Sequence, residues 1–245
     1  LIEDMADEWF TKFMFSGRWH EPEDADFYGR YLGWFATAPS ADDRYNSASQ
    51  TMRDRQVGRN SIVGVTPANA PVVDATFRDL AGILEQAFST QMFLFGNRPS
   101  VADFAIYGQL QPTLHAPSAS RTLREVSPRA FFWTILLDDL SGYEPGEWSP
   151  ASTDPSSVVN RLLEMAGRYY LPFAAANLRA IEADEGTVDV ELAGHRFTQP
   201  AFRYQAKCLR ELRARYAALA PSVQVALDRP LADSDCLKVL LPGTL

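Results

Sequence analysis

The sequence predicts an all-α protein: a helical bundle over residues 1–142, then a mostly helical extension over 143–245 with one β-hairpin near 187–199. Three observations carry that expectation. Apolar residues recur along most of the chain at spacings that place them on one face of a helix. Two serine-led junctions, at Ser100 and at Ser127-Pro128, have the chemistry of helix N-termini. Strict apolar/polar alternation is confined to Val188, Val190 and Leu192, with Ala193-Gly194 behind it as a tight turn.

The elements follow in order. Ile2, Met5, Ala6, Trp9, Phe10, Phe13 and Met14 make one broad apolar face, and Glu3, Asp4, Asp7 and Glu8 lie in early turns, where the helix dipole favours acids. Gly17 is expected to end or bend this helix. A polar stretch around Thr37 to Ser49 follows, and a second helix is expected from about Ser47 to Arg59. A third begins near Ala70-Pro71, with Val73, Phe77, Leu80, Leu84, Ala87 and Phe88 as its buried stripe. Gly96-Asn97 and Arg98-Pro99 are turn signals. Ser100 and Asp103 then form a capping box: the hydroxyl accepts from an amide of the first turn and the acid reaches back. The helix they start is expected to bury Phe104, Tyr107, Leu110 and Leu114. Ser127-Pro128 starts another, with Phe132, Trp133, Leu136, Leu137 and Leu140 as its apolar face and Ser141-Gly142 as its end. Residues 143–154, rich in Pro, Gly, Ser and Asp, mark a boundary. Asp154-Pro155 is expected to cap a long helix through about Ala183, kinked at Pro172. After the hairpin, a helix is expected over about Phe202 to Leu219, then short helix or coil beyond Pro221.

Composition narrows the function classes. The net charge is −8, with acids and arginines interspersed, which argues against nucleic-acid or anionic-membrane partners that need a basic face. No apolar run approaches the ~20 residues of a membrane-spanning helix. Cys208 and Cys236 form no C-x-x-C pair, so a reduced, cytoplasmic setting is expected. Only three of the 23 basic residues are lysines (Lys12, Lys207 and Lys238), and this arginine bias suggests a GC-rich bacterial genome. The first residues already read as helix, so the chain is expected to begin inside a larger protein.

The stretch Leu94-Phe95-Gly96-Asn97-Arg98-Pro99-Ser100-Val101-Ala102-Asp103-Phe104 resembles the hallmark segment of glutathione S-transferase C-terminal domains, a turn and proline followed by a Ser-x-x-Asp-capped core helix. Pro128-Arg129 with Phe132-Trp133 is similar to the opening of a later helix of that family. Leu1 to Trp19 is similar to its first helix, the one that follows a thioredoxin-like domain. The region from 155 resembles an extension of some bacterial members, through Tyr170-Leu171-Pro172-Phe173, Ala176-Asn177 and Phe202 to Leu209.

The resemblance implies a parent protein that conjugates or reduces hydrophobic electrophiles with glutathione as co-substrate, in detoxification, as a homodimer. In such a family the thiol-activating residue and the glutathione site lie on the thioredoxin-like domain, so no catalytic residue, tightly bound cofactor or metal is assigned to this chain. The helical domain would contribute the pocket for a small hydrophobic electrophile, from Phe10, Phe13, Met14, Gly17, Arg18 and Trp19. Core packing is the competing reading, weightiest for Phe10 and Phe13. The alternative for the whole chain is a non-catalytic docking or binding module of the same fold.

Other residues read more plainly. Ser100 and Asp103 cap a helix and do no chemistry. Arg53, Arg55 and Arg59 read as a solvated face with ion pairs. His20, His115 and His195 show no metal-ligand spacing. Cys208 reads as buried and inert. Asn177, in an apolar stretch, is expected to bond backbone near the hairpin.

Overall fold

Helix α1 (residues 2–19) holds five of the largest fully or nearly fully buried side chains, Met5, Trp9, Phe10, Phe13 and Trp19. It continues past Gly17 to Trp19. The computed structural model describes residues 1–152 and 154–241. Eleven helices and one two-stranded sheet make up those residues. The helices after α1 are α2 (Pro22–Thr37), α3 (Asp42–Val57), α4 (Ala70–Ala87), α5 (Val101–Leu110, prolonged by a 3-10 turn Gln111–His115), α6 (Pro117–Val126) and α7 (Pro128–Leu137). Helix α8 (residues 158–182) leads to strands β1 (Thr187–Leu192) and β2 (His195–Pro200), and then to α9 (Arg203–Ala217), α10 (Pro221–Asp233) and α11 (Leu237–Leu240).

The local chemistry accounts for most boundaries. Ser100 Oγ accepts from the Asp103 amide at 3.3 Å, and the Asp103 carboxylate accepts from the Ser100 amide at 2.8 Å, so the capping box is formed. The same carboxylate also accepts from the Leu94 amide at 2.9 Å, which fastens the preceding turn to α5. Ser127 caps α7 through the Ala130 amide. The hairpin pairs Thr187 with Pro200 through Leu192 with His195, and both residues of its turn, Ala193 and Gly194, have positive φ, as a twist-matched two-residue hairpin turn requires.

Several expectations need correction. The second helix starts at Asp42, not near Ser47, and another helix, α2, precedes it. The polar stretch from Thr37 is therefore only the short link at 38–41. Helix α2 buries Ala25, Tyr28, Gly29 and Gly33, and a Cβ at Gly33 would lie 2.8 Å from the Ser49 Cα of α3. Small residues at the α2–α3 contact replace the large apolar stripe that periodicity looks for. Phe104 is exposed, as are Phe132 and Leu136. The buried faces run instead through Ala102, Asp103, Ile106 and Leu110 in α5, and through Ala130, Trp133, Thr134 and Leu137 in α7. Here too small residues admit the neighbouring helix, while Phe104 and Phe132 point out and Trp133 stays buried. The long helix is capped by Ser157, through the Asn160 amide, rather than by Asp154. Helix α7 ends at Leu137, four residues before Ser141.

Two helices contain a π-helical turn, Ala6–Phe10 in α1 and Ala166–Tyr170 in α8. The second lies just before Pro172, where the missing proline amide leaves a carbonyl of the preceding turn free. The two turns face each other: Trp9 stacks on Tyr169 at 6.4 Å, and the Tyr170 hydroxyl donates to Asp4. Burial and that carboxylate push the Tyr170 hydroxyl far above its usual range. One continuous core includes Trp9 and Phe10, Leu80 and Leu84, and Tyr169, Phe173 and Phe197, so the extension and the bundle share their interior.

A cleft between three helices and a buried lysine

A cleft of about 650 Å³ lies where α1, α4 and the start of α6 converge. Phe13, Val73, Phe77 and Ala119 give it an apolar floor. Phe13 and Phe77 stack there, with ring centroids 5.0 Å apart. Gly17 lies on the same wall, where a Cβ would sit 2.8 Å from Ala119 Cβ, so α1 and α6 cross at a distance only glycine allows. The mouth is polar, formed by His20 and Glu21 from the link between α1 and α2, Asp74 and Arg78 from α4, and Arg121 from α6. Partial burial raises the Asp74 carboxyl above its usual range, against the pull of Arg78 and His20. Behind the mouth, buried Asp24 accepts from the amide and hydroxyl of Ser118 and so fastens α2 to the N-terminus of α6.

Of the pocket residues proposed from sequence, this cleft brings together Phe13 and Gly17. Phe10 is fully buried against Phe13. Trp19 is buried against Phe15 and Tyr28. Arg18 turns away from the cleft: its guanidinium lies 5.5 Å from the Tyr28 ring centroid and donates to Met14 Sδ at 2.7 Å. Arg78 and Arg121 are the arginines at the cleft. Arg53 pairs with Asp26, as the solvated-face reading expects. Cys208 and Cys236 are buried free thiols, and burial pushes them up to about 12 and about 11, away from thiolate chemistry. Among the described residues, no group of three or more His, Cys, Asp or Glu could hold a metal ion. Nor is any helix there long and apolar enough to cross a membrane.

Lys12 carries no motif that marks it in the sequence. Its side chain is buried, with Nζ 4.5 Å from the Phe173 ring centroid, 5.2 Å from Trp9 and 5.4 Å from Phe197. It donates to Gln199 Oε1 at 2.5 Å and to the Val63 carbonyl at 3.3 Å. Burial lowers it to about 7, with Glu8 opposing. Two asparagines hold the covering segments in place. Asn69 bonds the Gly64 and Thr198 carbonyls and accepts from the Thr198 amide, pinning β2 to the loop before α4. Asn177 does the same for the strand exit, donating to the Phe202 carbonyl at 2.9 Å and accepting from its amide at 2.8 Å. Beside Lys12 lies a smaller pocket of about 200 Å³, lined also by Asp7, Glu8, Thr11, Tyr204 and Gln205. The available signal is the one lysine of α1 in a lysine-poor chain, flanked on the helix by Trp9, Phe10 and Phe13.

No protein-family model, curated protein or solved structure matches this chain.

Proposed function

We propose that this chain is the helical part of a glutathione S-transferase-like protein, and that the cleft between α1, α4 and α6 receives the hydrophobic co-substrate. The observation that carries this reading is the cleft itself: an aromatic and aliphatic floor within a volume suited to one small organic molecule. The turn and capping box at residues 94–104 support it from the side of the resemblance. Arg78, Arg121 and His20 at the mouth, balanced by Glu21, Glu23 and Asp74, favour an electrophile that carries a polar, hydrogen-bonding substituent on an apolar body. Glutathione and its thiol-activating group belong, on this reading, to a thioredoxin-like domain of the parent protein, and dimerisation to the same parent.

The test is binding of a chlorinated nitroaromatic to the chain, measured by calorimetry, against a Thr122→Trp variant that fills the cleft from its half-buried rim. Wild type should bind, and the variant should bind at least about tenfold more weakly, a loss of about 1.4 kcal/mol, with unchanged melting temperature. No glutathione conjugation above the uncatalysed rate is expected from the chain by itself. Equal binding by both proteins would remove the cleft from consideration.

A second reading, a docking module, is favoured by one feature. Phe27, Tyr31, Trp34 and Phe35 are all exposed on α2, with Tyr31 in ring contact with Phe27, Phe35 and His115. An exposed aromatic row of this kind is a feature of interaction surfaces.

A further inference from the structure

We propose that the ligand of the cleft between α1, α4 and α6 is a small zwitterion with a flat aromatic body, the chemistry of an aromatic amino acid. This rests on the reading of the cleft as the co-substrate site, and it names the charges that the co-substrate carries.

The first observation is how charge is sorted at the mouth. The start of α6 contributes a base, Arg121, and no acid. The link between α1 and α2, with the first turn of α2, contributes Glu21 and Glu23 beside His20. Helix α4 carries one charge of each sign, Asp74 and Arg78, a turn apart. Arginines and carboxylates from three elements therefore surround one opening.

The second observation is that these charges do not neutralise one another. Among the described residues, Glu21, Glu23, Asp74, Arg78 and Arg121 form no ion pair and no side-chain hydrogen bond. Elsewhere Arg53 reaches Asp26 and Arg210 reaches Glu182 on neighbouring helices, at 2.8 and 3.0 Å. Asp74 senses the charges of Arg78, His20 and Glu21 but pairs with none of them. Opposite charges held apart around one opening stay available to a ligand. A carboxylate directed at α6 meets Arg121, and an ammonium directed at the link meets Glu21 and Glu23. A ligand with a single charge compensates one side and leaves the other unmatched.

The third observation is the floor. Phe13 and Phe77 are buried and stacked, with their planes 23° apart, and Val73 and Ala119 extend the apolar surface beside them. A flat ring packs well on such a pair. The cleft, at about 650 Å³, has the size of a site for one small organic molecule.

Calorimetry on the full chain compares four indoles of nearly the same shape: 3-methylindole (neutral), tryptamine (cation), indole-3-propionate (anion) and L-tryptophan (zwitterion). L-Tryptophan should bind tightest, by about threefold to fivefold over tryptamine and over indole-3-propionate, since each of those lacks one exposed ion pair. Arg121→Gln should bring L-tryptophan to the affinity of tryptamine and leave tryptamine unchanged. Glu21→Gln combined with Glu23→Gln should bring it to the affinity of indole-3-propionate. All three side chains are exposed, so these variants should melt as wild type does. If 3-methylindole binds and L-tryptophan binds no tighter, the proposal is overturned while the cleft reading stands. Variants that leave the four affinities unchanged also overturn it, as does L-tryptophan binding that survives Thr122→Trp. If neither the indoles nor the chlorinated nitroaromatic bind, the cleft reading falls and the proposal falls with it.

Discussion

Helix α1 serves two hollows that differ in origin. Its second half, through Phe13, Gly17 and His20, walls the cleft with α4 and α6. Its first half, through Asp7, Glu8, Thr11 and Lys12, walls the small pocket closed by β2 and the start of α9. The cleft is built from bundle helices and has its charges at the mouth. The Lys12 pocket is built where the extension lies on the bundle, and its charge is inside. An apolar floor with a polar rim needs only correct helix faces. A buried amine needs acceptors and rings supplied from far along the chain, here Val63, Phe173, Phe197 and Gln199.

The strongest way to break this contrast is Phe173→Ala. Phe173 is fully buried, 5.2 Å from Trp9 and 5.8 Å from Phe197 by ring centroids, and it lies over Lys12. Removing a buried phenylalanine ring costs about 3–5 kcal/mol, read by denaturant unfolding. The cleft has no contribution from residue 173, so protein that remains folded should bind a cleft ligand as wild type does. A loss below about 1 kcal/mol would mean that the extension does not seal α1 as described.

The next effect concerns Lys12 and pH. Its native value is lowered from 10.5 to about 7, so between those values the unfolded chain holds the extra proton. Stability must therefore rise with pH across that window, by about 2–3 kcal/mol between pH 7 and pH 9. Lys12→Met keeps most of the volume and has nothing to titrate. The variant should be more stable than wild type at pH 7, with the gap closing as pH rises. Above pH 9 the raised thiols of Cys208 and Cys236 act with the opposite sign in both proteins, so the difference between the two proteins is the quantity to follow. A gap that does not change with pH would remove the buried-amine description.

The same contrast explains what the sequence made legible. The helix-rich fold class, the Ser100–Asp103 box, the Ser127 cap and the Ala193-Gly194 hairpin are local: each is decided by residues within a few positions of one another. Phe13 and Gly17 could be placed on one face because the helix period places them there. Helix α2 was missed because its buried side is Ala25, Gly29 and Gly33 rather than a stripe of large residues. Size is no guide to burial at Phe104 and Phe132, which are exposed while Ala130 and Thr134 are buried. Lys12 was passed over because periodicity puts it at the edge of the apolar face of α1, and only residues 63 and 173–199 reveal that this edge is covered. The cleft mouth was missed for a similar reason, since His20, Asp74 and Arg121 are brought together from three helices.

The smallest expected effect tests the other half of the comparison, that charge at the cleft is superficial. Asp74 is exposed, and its carboxyl is raised by partial burial against Arg78 and His20. A carboxyl raised in the native state favours folding when protonated. That contribution is present at low pH and is lost as pH rises from 3.8 through the native value, the opposite sign to a salt-bridged aspartate. Solvent screening at such a site keeps the effect small, so Asp74→Asn should change stability at pH 7 by no more than about 0.5 kcal/mol, in the stabilising direction. The pH dependence of unfolding between pH 3 and pH 7 should flatten slightly. A destabilisation above about 1 kcal/mol would show Asp74 held in a buried ion pair, and the two hollows of α1 would then be alike in carrying charge inside.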